Sequence, residues 1–290
     1  MISNCYYYAP HNHCLLTQHL DTDLRRMREL GTDAVSVCVQ EAQLVNWHQR
    51  RLRTVVDRAH EHGLTVHAVP NRWGGLTAGW LDGFSGWTLN HRHTFLPDGE
   101  GEGFSDPSHP EVRAHFEKHL ARLLGEWDFD GLIWDEPRPP RPEIVAFLDQ
   151  MSAFAKGVRG DVVVSLFAEA GDLHLADPLA ATKHIDYLGA DGHVRSEVHQ
   201  MHRMKNTIWR THNAFAEPLV AAGKKTVFLL EAQRHRDEDL GDYLANVDRA
   251  FALPMDHLVW YYSAHEMSPA FEAAFNKATW RAAARAKQRD

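Results

Sequence analysis

The feature that most constrains this chain is an alternation repeated eight times, in which a short, almost wholly apolar run is followed by a segment with helical periodicity. The runs are NCYYYAP (4–10), DAVSVCVQ (33–40), LTVHAVP (64–70), FDGLIWDE (129–136), DVVVSLFAE (161–169), HIDYLGADG (184–192), KTVFLLEAQ (225–233) and DHLVWYYSAHE (256–266). Between them Leu20, Leu24, Met27 and Leu30 recur at helical spacing before Gly31, and Leu52, Val55, Val56 and Ala59 do so before Gly63. Strands apolar along their whole length are covered on both faces, which is the pattern of a parallel sheet under helices. Eight such units in 290 residues predict a single-domain (β/α)8 barrel over residues 1–290. A doubly wound sheet would be expected to carry a glycine-rich phosphate turn after an early strand, and neither GxGxxG nor GxxxxGK[ST] occurs.

A long Gly- and Trp-rich stretch, from Asn71 to about Ser105, interrupts the alternation after the third strand. Loops this long in a compact domain usually serve function. The formal net charge of −8 argues against nucleic acid or an anionic membrane as partner. No apolar run approaches the ~20 residues of a membrane span. Cys5, Cys14 and Cys38 are too few and irregular for a disulfide framework, and the N-terminus lacks a basic region followed by an apolar one. The cytoplasm is the expected compartment. The oligomeric state stays open, with a homo-oligomer allowed.

In such a barrel chemistry collects where strands end and the following loops begin. The first strand delivers Tyr6, Tyr7 and Tyr8, then His11 and His13; the second delivers Gln40 and Glu41; the third delivers Asn71, Arg72 and Trp73. The fourth ends on Asp135 and Glu136, the fifth on Glu169 and then Asp172, and the sixth on Asp191 and His193. The seventh ends on Glu231, then Gln233 and Arg234; the eighth carries Trp260 and Tyr262, then His265 and Glu266. Aromatic faces stack on sugar rings, and carboxylates and amides bond hydroxyls, so the expected partner is a carbohydrate. No lysine stands at these positions for a Schiff base, no GxSxG is present, and no cofactor is expected.

Strands 4 and 7 face each other across a ring of eight, so Glu136 and Glu231 can flank one bond. Retaining glycosidases hold two carboxyls about 5–5.5 Å apart and inverting ones about 6.5–9.5 Å. Adjacent residues of a strand point to opposite faces, so the end of strand 4 must deviate if Asp135 and Glu136 are both to face inward.

The ending Trp-Asp-Glu-Pro (134–137) resembles the Asn-Glu-Pro ending of strand 4 in the large clan of retaining TIM-barrel glycoside hydrolases. The resemblance implies a glycosidase with Glu136 as acid/base, Glu231 as nucleophile and Trp260 as a sugar platform. Asp135 departs from the clan's Asn, which bonds the sugar 2-hydroxyl. The stretch from Asp106 to Pro137 is also similar to the helix–strand passage of bacterial glycosyl-hydrolase-like barrels. The sugar pocket is expected to comprise Tyr7, Asn71, Arg72, Trp73, Glu169, Asp191, His193, Trp260 and Tyr262, with Asp135 binding a substituent or tuning Glu136.

Other arrangements fit the same strand ends. Asp135 and Glu136 can be a structural pair satisfied by Arg138 or Arg141, and Glu231 can pair with Arg234 or Arg236. The tryptophans Trp73, Trp80 and Trp87 can simply pack the long loop. Within glycosidases, Asp135 can act with Asp191, or with Glu136 through a substrate acetamido group. Glu169, Asp191, Glu231 and His265 can instead hold a divalent metal, as in sugar isomerase barrels. A carbohydrate-binding barrel without turnover is the non-enzymatic alternative.

Overall fold

The computed structural model describes residues 1–7, 17–45, 49–78, 85–97, 103–196, 207–231, 235–263 and 267–289. Eight parallel strands run β1 Ile2–Tyr7, β2 Ala34–Gln40, β3 Thr65–Asn71, β4 Gly131–Asp135, β5 Val163–Ala168, β6 Tyr187–His193, β7 Lys225–Glu231 and β8 His257–Tyr261. They pair in sequence order, and β1 also pairs with β8, so the sheet is a closed barrel. Around it lie α1 Thr17–Glu29, α2 Glu41–Val45, α3 Gln49–Glu61, α4 Gly86–Asn90, α5 Pro110–Gly125, α6 Pro142–Val158, α7 Ala176–Ala180, α8 Ile208–Ala221, α9 Leu240–Ala250 and α10 Pro269–Gln288. The expected barrel is therefore the observed one. No described helix is long and apolar enough to cross a membrane.

The differences from the sequence reading are local. The first strand begins at Ile2, two residues early, because Ile2 to Tyr6 pair in register with His257 to Tyr261. The helix after β6 is described from Ile208, and Pro218 lies inside it without ending it. In the long connection after β3, α4 forms where Ser85 caps the Thr88 N–H. Gly74 and Gly75 turn the chain with positive φ (56° and 74°), and a Cβ on Gly75 would sit 2.4 Å from the Gly103 carbonyl.

Strand register sorts the side chains into two layers. Inside the barrel, Asn4 bonds His67 Nδ1 (3.1 Å), Ser36 donates to Asn4 (2.6 Å), Ser165 meets His257 Nδ1 (3.0 Å), and the two histidine rings lie edge to face. Gly131 leaves room for His67, since a Cβ there would fall 2.4 Å from its ring. The opposite faces of the same strands pack the helices: Trp134 of β4 donates to Ser152 of α6 (2.9 Å).

Candidate active site at the barrel mouth

At the C-terminal end the inward face carries carboxylates. Asp135 closes β4 facing inward, where Tyr6 donates its hydroxyl to Oδ2 (3.0 Å). An ideal strand would turn the next side chain away. Glu136 instead has φ 40°, a left-handed conformation that costs a non-glycine residue about 1 kcal/mol or more. That turn is the deviation the sequence required, and it returns Glu136 to the mouth. Neighbouring chain over-determines it: Glu136 N–H donates to the Phe167 carbonyl (3.0 Å), and Ala78 N–H reaches the carbonyls of Asp135 (2.7 Å) and Glu136 (3.0 Å).

Glu136, Asp191 and Glu231 converge, with one carboxylate oxygen of each lying within 4.8 Å of the others, all buried. Asp191 is anchored by the Ala170 N–H (2.6 Å). Glu231 sits beside His193 in the β6–β7 register, and its carbonyl contacts His235 Nε2 (3.2 Å). Arg138 bridges Glu136 and Glu169, the latter at 2.6 Å. Burial works against the Arg138 charge, but the two carboxylates outweigh it and hold the guanidinium firmly cationic. Burial, then the neighbouring Glu169, pushes the Asp172 carboxyl upward against the opposing pull of Arg138.

Asn71 ends β3 on the same inward face as His67. It is 1% exposed, and neither amide atom has a hydrogen-bond partner among the described residues. Buried amides are nearly always satisfied, by protein or by ordered water, so this one is open to a bound molecule. Asn71→Ala is expected to leave thermal stability unchanged or slightly higher, while raising KM by about tenfold, the worth of a hydrogen bond. An unchanged KM would remove Asn71 from the pocket.

Four expected aromatics are engaged elsewhere, three through strand register and Trp73 through the turn after β3. Trp260 lies on the outward face of β8 opposite Cys5, fully buried, and its Nε1 donates to Ser3 Oγ (3.2 Å), so no ring face is offered to a sugar. Tyr7 and Tyr262 both donate to Asp23 of α1 (2.8 and 2.9 Å), and Tyr262 stacks on Trp280 of α10. Trp73 is fully buried against Phe116, with Nε1 bonded to the Val39 carbonyl (2.9 Å). These four side chains fasten loops and helices to the barrel. Tyr262→Phe is accordingly expected to cost about 1 kcal/mol in a denaturation midpoint while leaving KM unmoved.

The inward aromatics are their neighbours. Tyr6 and Tyr261 stack at 5.2 Å between centroids, and Tyr6 holds Asp135. The sequence named Tyr6 only among other tyrosines and did not name Tyr261. The signal was the period of two counted from Asn4, which is legible only once an inward residue is known. Arg72 adopts φ 60°, with its N–H on the Ala78 carbonyl (3.3 Å). Tyr8, His11, His13, Trp80, Gln233, Arg234, His265 and Glu266 lie outside the described residues.

Glu41, beyond β2, organises the loop beside the mouth. Its buried carboxylate accepts from Gly74 N–H (2.8 Å) and Ser85 and contacts His115 Nε2 (2.8 Å). Burial would raise its pKa, but the His115 bond and charge and the Ser85 and Gly74 bonds together lower it.

No protein-family model and no curated protein sequence matches this chain. Solved structures do match in fold. An endo-1,4-beta-mannanase from Rhizomucor miehei superposes with a TM-score of 0.65 at 10% identity, covering 100% of this chain and 95% of that one. A GH5_18 protein from Streptomyces cattleya in complex with GlcNAc gives 0.64 at 17%, covering 99% and 80%. A GH5_18 variant from Bifidobacterium longum subsp. longum in complex with Manb1-4GlcNAc gives 0.66 at 18%, covering 100% and 78%. At such identities the likeness establishes a shared barrel fold.

Proposed function

We propose that this chain is a glycoside hydrolase that cleaves an O-glycosidic bond with retention, using Glu136 as acid/base and Glu231 as nucleophile. The observation that carries the reading is the convergence of buried carboxylate oxygens from β4 and β7 within 4.8 Å at the barrel mouth. Nearest oxygens this close are compatible with the retaining spacing of about 5–5.5 Å between carboxyl groups. Asp135, steadied by Tyr6, and the unpartnered amide of Asn71 would bind sugar substituents. The fold neighbours include mannanases and proteins bound to GlcNAc and Manb1-4GlcNAc, which sets the first substrates to try.

The mechanism follows from charge placement. A retaining displacement needs one of the two glutamates to carry a proton and the other to be ionised. A proton on one glutamate can pass to the leaving oxygen while the other attacks the anomeric carbon. The acid then becomes the base that takes a proton from the incoming water, and the glycosyl–enzyme ester is released.

A second reading exchanges the two roles, and Arg138 favours it. A guanidinium paired with Glu136 stabilises the ionised carboxylate, which suits a nucleophile better than an acid. Azide added to Glu→Ala variants separates the two. A glycosyl azide of retained configuration marks the acid/base variant, and an inverted azide marks the nucleophile variant.

The deciding experiment is hydrolysis of aryl β-mannosides, aryl N-acetyl-β-glucosaminides and β-mannan, followed by the configuration of the first product. Failure to turn over any glycoside, with sugars still bound, would leave a carbohydrate-binding barrel. The same three oxygens also suit a hard divalent cation. Loss of activity in a chelator, restored by magnesium or manganese, would replace the glycosidase reading with the metal-dependent one.

A further inference from the structure

A second cluster of ligand-type side chains, sharing no residue with the mouth carboxylates, lies in the connection between β3 and α5. His93 stands on a 3-10 turn, Arg92–Thr94, His109 is the N-cap of α5, and Glu111 lies in its first turn. One ligand atom from each falls within 4.8 Å of the others. His93 Nε2 is 3.1 and 3.2 Å from the two Glu111 oxygens, and the His93 and His109 rings are 5.6 Å apart.

We propose that His93, His109 and Glu111 form a zinc site that clamps the β3–α5 connection to the start of α5. Two imidazoles and a carboxylate are the borderline ligand set that zinc accepts, and three protein ligands leave a fourth position for water. Tetrahedral zinc with bonds of about 2.0–2.1 Å places its ligand atoms about 3.3 Å apart, and the His93–Glu111 pair already stands at that spacing. The two side chains are 57% and 53% exposed, so they can close on an ion without repacking a core. His109 gives up only a long cap contact, 3.3 Å from the Glu111 N–H, if Nδ1 is the ligand.

The placement gives the ion a structural task. Between the ligands the chain folds back on itself: Phe95 bridges Ser105, Leu96 N–H donates to the Phe104 carbonyl (2.9 Å), and Asp106 N–H to Thr94 (2.6 Å). His93 stands at one foot of this turn and His109 and Glu111 just beyond the other. An ion shared between them closes the loop and removes entropy from its open states. His91 adds a neighbouring imidazole, its ring 5.9 Å from His93 and stacked on Trp87 at 4.2 Å, so tryptophan emission is a local reporter.

The test is zinc titration of the full chain after chelator treatment at pH 7.5, by calorimetry and tryptophan fluorescence. The wild type is compared with His93→Ala and Glu111→Gln, which leave the mouth carboxylates intact. The expected result is one micromolar site, a higher thermal midpoint with zinc, and binding weakened by about tenfold or more in each variant. No uptake at stoichiometric zinc, or uptake and a thermal shift as large in both variants as in the wild type, would overturn the proposal. The latter result would place the ion elsewhere, the mouth cluster included.

Discussion

Glu231→Gln is expected to lower kcat/KM by on the order of 10⁴-fold, with an unchanged circular dichroism spectrum. The amide keeps the volume and a hydrogen-bonding oxygen but cannot form the glycosyl ester. Glu136→Gln should lose on the order of 10²–10⁴-fold, the usual span of acid–base catalysis, and its deficit should shrink for aryl leaving groups that need no proton. The two deficits should not add, because both residues serve one displacement. Near-wild-type turnover in Glu231→Gln would end the assignment of the β7 glutamate, whichever role it holds. Arg138→Gln probes the balance: removing the cation shared by Glu136 and Glu169 makes protonation of Glu136 easier. The pH–rate profile should therefore shift to higher pH.

Acid should begin to destabilise this protein before its ordinary carboxylates titrate. His67 and His257 are buried inside the barrel as neutral rings. Burial first, opposed only by Asp130, pulls His67 down to about 4, and burial together with His67 pulls His257 well below its usual value. The unfolded chain binds protons at both below about pH 6.5 while the folded chain refuses them, so stability falls as pH drops from about 6.5 toward 4. His67 alone contributes about 3 kcal/mol to that fall, each pKa unit being worth about 1.4 kcal/mol. Glu41, held below its ordinary value, adds a loss in the same direction at still lower pH, as it protonates and releases its bonds. Denaturant midpoints between pH 7.5 and 4.5 check this. A midpoint flat across that range would show that these rings are solvated or charged in the fold. His67→Asn should show a shallower slope even if it is less stable at pH 7.5.

The candidate site was half legible from the chain. Acids ending the fourth and seventh runs are visible without coordinates, because barrel chemistry collects at strand ends. Asn71 and Asp191 were visible for the same reason, and both face inward. Tyr7, Trp260 and Tyr262 were chosen one residue away from Tyr6 and Tyr261. A half-buried strand announces its inner face by alternating polar and apolar residues. Strands of this barrel are buried on both faces, by the interior and by the helices, so runs such as NCYYYAP and LVWYYS carry no such alternation. Trp73 failed differently: its loop tucks inward against α5 through Gly74 and Gly75, which periodicity does not report.

By itself the sequence determined the number of units, their order and the strands that end in carboxylates, because these are set by local runs of apolar residues and the helices between them. Only the tertiary structure decided which side chains share the mouth. Inward and outward positions are assigned when β1 pairs with β8 and fixes the register around the ring, a contact between residues some 255 positions apart, such as Ile2 and His257. The left-handed turn at Glu136 was likewise settled there, since that conformation is costly for glutamate and persists through bonds from Phe167 and Ala78, donated or accepted far along the chain.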